Sequence, residues 1–394
     1  MSGAPADGKR GPPEPIPMPV LTGFLGAGKT TLLNRLLKDP ALASTAVIIN
    51  EFGEIGLDHL LVQTIDDNIM LLQSGCLCCT MRGDLVSALE QLLRDRDNGR
   101  VGFDHVVLET TGLADPAPVL HTAMMHPYLA IRYRLDGVLT MVDAVNGEAT
   151  LDAHMEAVKQ AAVADRLILS KTDLVTDTGK RDALTARLHA LNPAARILDA
   201  AQGEATPANL LGCGLYDPAR KIPDVRRWLA EEAYAEASKA KETEAAHGHS
   251  PGHGHDHHHH GHHHHDPNRH DERIRAFTLA TDRAIPSGTF HIFLNLLRSM
   301  HGENLLRLKG IVKLAEQPER PLVIHAVQHV FHPFSHLDAW PDDDHRTRLV
   351  FITRDLPEPK MQELFGAILG AIAPDRPDAA ALADNPLVPF GGTH

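Results

Sequence analysis

The chain has 394 residues, 43% hydrophobic and 23% charged, an ordinary composition for a folded protein long enough to hold two domains. Its net charge of −13 argues against a nucleic-acid binder. No apolar run approaches the ~20 residues that span a bilayer, and the N-terminus has no apolar segment of the signal type. The expectation is a cytoplasmic protein that engages neither nucleic acid nor membrane.

Two residue types are unevenly placed. Of 27 histidines, 13 fall within residues 247–270, and of four cysteines three are Cys76, Cys78 and Cys79. A disulfide scaffold distributes its cysteines, so this crowding points to metal chemistry in a reducing compartment. Cys213 stands apart as a structural or surface thiol.

In chain order, residues 1–17 are rich in Pro, Gly and charge and read as a flexible arm. Residues 18–229 alternate short apolar runs (19–22, 45–50, 105–109, 137–142, 166–169 and a weaker 196–198) with amphipathic stretches at 30–37, 85–94 and 181–191. Strand and helix at that rhythm predict an α/β domain, a parallel sheet with helices on both faces. Residues 230–271 become rich in Ala, Glu and Lys and then in His. The His-rich run has nothing apolar to bury, so the segment reads as a disordered linker. Residues 272–374 predict a smaller α+β domain with strands at 274–281, 305–314, 322–331 and 348–353 and helices at 288–300 and 360–371. Residues 375–394 read as a loose tail.

The chemistry begins at Gly23-Phe24-Leu25-Gly26-Ala27-Gly28-Lys29-Thr30, which fits the phosphate-binding loop G-x-x-x-x-G-K-[ST] at every fixed position, between a strand and a helix. This makes the sheet that of a P-loop NTPase. Gly23, Gly26, Ala27 and Gly28 would turn backbone N–H groups onto phosphate oxygens, with Lys29, Thr30 and Thr31 at the helix start. Lys29 should reach the β- and γ-phosphates and the Thr30 hydroxyl should hold Mg²⁺. Glu109 ends the strand 105–109, where a carboxylate can support Mg²⁺ or its water, and Gly112 can turn its N–H towards a γ-phosphate. Lys29, Thr30 and Glu109 are the expected catalytic groups. Ser170-Lys171-Thr172-Asp173 follows another strand. The Asp173 carboxylate can accept the paired N1–H and N2–H₂ donors of guanine, with the Lys171 stem along the base. Ser170 stands where this motif usually has Asn, which loosens the ties around the base.

Thiolates at Cys76, Cys78 and Cys79 can converge on one soft ion, but a closed zinc site needs a fourth ligand. Water, a partner or a carboxylate can supply it, and Glu54 in Asn50-Glu51-Phe52-Gly53-Glu54 is a candidate. A redox pair between Cys76 and Cys79 is the alternative. In the His tract, His257, His258, His259, His260, His262, His263, His264 and His265 are weak, exchangeable metal ligands.

Taken together, TGFLGAGKTTLLN, INEFGEIGLD, SGCLCC, VVLETTGLADP and SKTD resemble the CobW-type GTPases, a metal-chaperone group related to the hydrogenase and urease nickel-insertion GTPases. Leu308-Lys309-Gly310 and Gln328-His329-Val330 are similar to that family's second domain. The resemblance implies GTP hydrolysis coupled to handling of zinc, or in some branches cobalt, with Cys78 in the cargo site and a metal-requiring client protein as partner. A homodimer stays open. No catalytic Gln stands out, so hydrolysis is expected to be slow and to depend on a metal, a partner or a dimer. Three other readings remain: a cobalt-handling GTPase of cobalamin or nitrile-hydratase metal insertion, a metal storage protein with a vestigial nucleotide site, and a P-loop kinase acting on a small molecule.

Overall fold

The structure, a computed structural model, describes residues 14–52, 69–74, 80–213, 273–332 and 334–370, the side chains of 50–84 excepted. Strands β1 (Ile16–Gly23), β2 (Thr45–Phe52), β3 (Ile69–Ser74), β4 (His105–Glu109), β5 (Tyr133–Asp143), β6 (Arg166–Ser170) and β7 (Arg196–Asp199) alternate with helices. The helices are α1 (Lys29–Leu36), α2 (Thr80–Asp97), α3 (Ala117–Met125), α4 (Pro127–Arg132), α5 (Gly147–Ala153), α6 (Met155–Ala162), α7 (Thr178–Leu191) and α8 (Pro207–Leu210). All strand pairings are parallel, in the order β3-β2-β4-β1-β5-β6-β7.

The central strands β1, β4, β5 and β6 are buried on both faces, as a parallel sheet between two helix layers requires. In β1, Ile16, Met18 and Val20 face a core shared with Leu85, Leu89 and Leu92 of α2 and Leu184, Leu188 and Leu191 of α7. Leu21 faces the opposite layer, with Leu32, Leu33 and Leu36 of α1. The β1–β5 register shifts between Met18 and Val20, where Pro19 has no N–H to give to the ladder.

The second sheet is antiparallel and built from β8 (Ile274–Thr281), β9 (Leu305–Val312), β10 (Leu322–Val327), β11 (Val330–Phe331) and β13 (Thr347–Arg354) in the order β11-β10-β9-β13-β8, while β12 (Ser335–His336) pairs with β10. One face packs on α9 (Ser287–His301) and α10 (Glu358–Ile368) through Phe290, Phe293, Leu297, Met361 and Phe365. Ile274, Ala276, Leu306, Val327, Val330, Val350 and Ile352 instead join the core of the first domain. The second sheet is thus a lid of apolar side chains on α3, α6 and α7.

The architecture matches the α/β plus α+β expectation, with local corrections. β1 begins at Ile16, inside the segment read as an arm, because Ile16 is buried and pairs with Tyr133. β3, a seventh parallel strand, carried no strand reading. The run 322–331 is not one strand: it turns back at Gln328-His329, with Val327 opposite Val330. The 230–271 linker, including the His tract, and the 375–394 tail lie outside the described residues. Among the described residues no helix is long and apolar enough to cross a membrane.

Candidate nucleotide site

The loop from β1 into α1 can be built only with glycine at its critical turn. Gly23 has φ +137°, and a Cβ there would lie 2.4 Å from the Met141 carbonyl oxygen of the neighbouring strand. Gly26 and Gly28 are also left-handed, which turns the loop's N–H groups inward at the start of α1. Lys29 is buried, and its Nζ donates to the carbonyls of Gly23 (2.9 Å) and Phe24 (3.3 Å), so the ammonium spans the loop. Ala27 is buried within the loop, whereas Thr31 is exposed on α1.

β4 lies beside β1 with Leu21 opposite Glu109, which places the strand-ending carboxylate next to the loop. The Thr30 hydroxyl donates to Glu109 Oε1 at 3.4 Å. A hydroxyl and a carboxylate are hard oxygen donors of the kind Mg²⁺ takes alongside phosphate, and a short phosphate cradle adjoins them. This donor set fits a magnesium nucleotide. Gly112 follows at close quarters: a Cβ on it would sit 2.6 Å from the Leu25 backbone nitrogen. Thr110 donates its N–H to the Leu21 carbonyl and its hydroxyl to that of Thr22, at 2.8 Å, fixing where this loop leaves the sheet.

On the far side of the phosphate loop, β6 ends at Ser170. Its hydroxyl donates to the Ala27 carbonyl at 2.7 Å, so serine keeps a tie to the phosphate loop at the position where the motif usually has Asn. Lys171 adopts φ +57° and its Nζ reaches the Gly26 carbonyl (2.8 Å) and Asp143 Oδ2 (2.7 Å). Asp173 is exposed in the short turn Thr172–Leu174.

The fold therefore brings together Gly23 to Thr30, Glu109, Gly112, Ser170 and Lys171, from positions up to 148 residues apart, while Asp173 stays exposed two residues beyond Lys171. Cys76, Cys78, Cys79, Glu54 and the eight histidines from His257 to His265 lie outside the described residues. Among the described residues no group of three or more His, Cys, Asp or Glu is arranged to hold a metal. Cys213 is buried, and burial pushes its thiol well above the ordinary range, as suits a structural residue.

A model of the CobW/HypB/UreG nucleotide-binding domain matches residues 17–199, and a model of the cobalamin synthesis protein cobW C-terminal domain matches residues 274–369. The chain carries a CobW/HypB/UreG nucleotide-binding domain followed by a CobW C-terminal domain. The zinc chaperone YjiA of Escherichia coli (strain K12) is 42% identical over 179 residues, 45% of this chain and 56% of that protein. The zinc-regulated GTPase metalloprotein activator 1 of Schizosaccharomyces pombe is 38% identical over 170 residues, 41% of this chain and 40% of that protein. The chain thus spans about half the length of the curated relatives it matches. The crystal structure of zinc-bound YjiA GTPase from E. coli aligns with a TM-score of 0.59 and 26% identity, covering 90% of this chain and 99% of that one.

Three residues of this site escaped the sequence reading. Asp143 ends β5 as Glu109 ends β4, and the same signature, a carboxylate closing an apolar strand, could have found it. Burial raises its carboxyl, but hydrogen bonds from Lys171, Asn146 and the Val145 and Asn146 N–H groups outweigh that and hold it below the usual carboxylate range. Gln160 of α6 donates to the Gly112 (3.3 Å) and Ala114 (2.9 Å) carbonyls. His154, at the start of α6, stacks on Phe24 with ring centroids 4.4 Å apart. Neither has a sequence signal, since both act through contacts that only the fold creates.

Proposed function

We propose that this chain is a cytoplasmic GTPase that binds zinc at Cys76, Cys78 and Cys79, with Glu54 as a further ligand, and transfers it to metal-requiring client proteins as GTP is hydrolysed. The observation that carries the nucleotide half is the convergence of Thr30 with Glu109 on one side of the phosphate loop and of Ser170 and Lys171 with Ala27 and Gly26 on the other. The names of the relatives, zinc chaperone and zinc-regulated GTPase, support the metal half.

In this reading the N–H groups of Gly26, Ala27 and Gly28 and the Lys29 ammonium bind the phosphates, with Gly23 and Thr31 completing the loop. Thr30 and Glu109 would hold Mg²⁺, which would supply positive charge against the phosphates. Asp173 accepts the guanine donors, and Lys171, held by Asp143, lies along the base. Because Ser170 and Lys171 bond directly to the phosphate loop, base recognition and phosphate positioning move as one unit. Gly112, packed on Leu25, is placed to sense the γ-phosphate through its N–H. Zinc is the cargo, and the histidines from His257 to His265 are weak, exchangeable ligands for further ions.

The test is zinc affinity by competition with a chromophoric chelator, with a GTP analogue, with GDP and without nucleotide. A tenfold difference corresponds to about 1.4 kcal/mol of coupling. Equal affinities in all three conditions refute the reading and leave a storage protein.

A further inference from the structure

The loop that carries Gly112 ends at Asp115, and Asp115 is gripped from the other domain. Gln328 Nε2 lies 2.8 Å from Asp115 Oδ1 and 2.7 Å from Oδ2, donating to both oxygens of the carboxylate. Lys159 of α6 approaches Oδ2 at 3.3 Å, and Oδ1 also accepts from the Ala117 N–H at the start of α3. Between Gly112 and Asp115 the loop is therefore held at three places. Gly112 packs on the phosphate loop, Gln160 and Lys159 hold it from α6, and Gln328 holds it from the C-terminal domain.

The hairpin that presents Gln328 is itself rigid and strained. Gln328 has φ +52°, a left-handed conformation that costs a side-chain-bearing residue free energy and persists only where surrounding contacts impose it. Its N–H donates to the Leu306 carbonyl, Val327 and Val330 on either side are buried in the shared core, and the neighbouring His329 ring lies 5.0 Å from His121 of α3. A turn free to choose would relax. This one is held with its amide aimed at Asp115.

We propose that Gln328 is a positioning residue for the nucleotide site, acting through Asp115 to hold the loop from Glu109 to Asp115 in the arrangement that faces the γ-phosphate. The inference rests on the GTPase reading above and assigns the C-terminal domain a part in it. Docking of that domain has other supports, namely Asp165 with Arg307 and Lys309 and the apolar residues of the shared core. The Asp115 cap on α3 forms within the first domain and survives without Gln328. Loss of the amide should therefore appear in turnover before it appears in stability. Coupling is reciprocal, so nucleotide that orders the loop also tightens the hairpin.

The test uses the full chain and three variants. Gln328→Gly removes the amide while relieving the left-handed strain. Gln328→Glu places a carboxylate against Asp115. Gln328→Glu combined with Asp115→Asn exchanges donor and acceptor between isosteric side chains and keeps the α3 cap. Steady-state GTP turnover should fall about tenfold in kcat in the first two, the scale of a hydrogen bond to a charged group, with KM and the thermal midpoint nearly unchanged. The exchanged pair should recover most of the loss. A GTP analogue should slow amide exchange in the 322–331 hairpin of the wild type and not of Gln328→Gly. Unchanged kcat in both single variants, or a loss that the exchanged pair does not recover, overturns the proposal. A wild-type chain that turns over no GTP at all fails the GTPase reading itself and takes this proposal with it.

Discussion

Asp165 is the acid on which two buried cations of the second sheet converge. It precedes β6, and its carboxylate meets Arg307 and Lys309 of the second sheet, with side-chain exposures of only 1%, 4% and 9%. Lys309 Nζ lies 2.6 Å from Oδ1, Arg307 bonds both Oδ1 and the Val163 carbonyl, and the Val138 N–H donates to Oδ2 at 2.9 Å. Burial raises the Asp165 carboxyl, but the charges of Arg307 and Lys309 outweigh it and hold it below the usual carboxylate range. Lys309 is pulled the other way: burial and the Arg307 charge lower it to about 8, against the support of Asp165. One acid thus serves two buried cations.

Asp165→Asn leaves a guanidinium and an ammonium facing a neutral amide out of reach of water. Removing one partner of a buried pair in this way costs about 3–5 kcal/mol. Lys309→Met removes one cation at similar volume and leaves the Asp165–Arg307 pair intact, so it should cost less than about 1 kcal/mol or stabilise. Urea denaturation of the full chain at pH 7, followed by circular dichroism, measures both. Lys309 also supplies a signed pH test. Between its folded value near 8 and its unfolded value of 10.5 the unfolded chain binds more protons, so wild-type stability gains a rising contribution with pH in that window, and Lys309→Met lacks it. Asp165→Asn within 1 kcal/mol of wild type, or Lys309→Met as costly as Asp165→Asn, refutes the reasoning.

Three further outcomes are expected. His325 and His332 stack with centroids 4.4 Å apart, and their ring nitrogens have no hydrogen-bond partner among the described residues. Burial above all, with the charges of Arg307 and Lys309 close by, lowers both, His332 to about 3 despite the opposing pull of Asp165. The unfolded chain therefore takes up these protons first as pH falls below 6.5, and unfolding free energy should drop by about 2–3 kcal/mol between pH 7.5 and 5.5 for the pair, with flat stability across that range refuting it. Gly112→Ala drives a Cβ to 2.6 Å from the Leu25 nitrogen, a backbone atom that cannot swing aside. It should cost about 1–3 kcal/mol of stability and cut GTP turnover, and a variant with wild-type kcat would show that the loop has room to spare. Lys29→Ala should abolish hydrolysis while keeping zinc binding in nucleotide-free protein, and Cys78→Ser should remove the tight zinc site while keeping GTP binding. Nucleotide binding lost in Cys78→Ser, read by fluorescent GTP analogue titration, would make that thiol structural.

What could be read from the sequence was what local chemistry dictates. The phosphate loop is legible because its glycines, Lys29 and Thr30 are needed at fixed spacing whatever surrounds them, and β4 and β6 because a doubly buried parallel strand must be a short apolar run. β3 was missed because it pairs with β2 alone, at the sheet edge, and only Ile69, Met70, Leu71 and Leu72 of its six residues are apolar before Gln73 and Ser74 break the run. The turn at Gln328-His329 was missed for another reason. Neither residue favours a two-residue hairpin, as Asn-Gly would, and the left-handed φ of Gln328 is imposed by contacts with β9 and the first domain. The alternation of Arg307 and Lys309 with Leu306 and Leu308 is what a strand with one wet face would show. Here that face is dry, because it meets Asp165.

Burial of that face ties the second domain to the first. A sheet that turned Arg307, Lys309, His325 and His332 to solvent would be a separate module on a linker. Instead those polar residues and their apolar neighbours are buried against α3, α6 and α7. From this face two short routes run to the nucleotide loops. One passes through Asp165 into β6, whose far end is Ser170-Lys171 against the phosphate loop. The other passes through Gln328 and Asp115 to Gly112. Both approach the site from the same domain, and both reach loops that would respond to nucleotide. On the GTPase reading proposed above, a client that engaged the second sheet would bias the nucleotide site without touching it, and any free energy by which GTP favoured one setting of these loops would be available to alter the grip on that client.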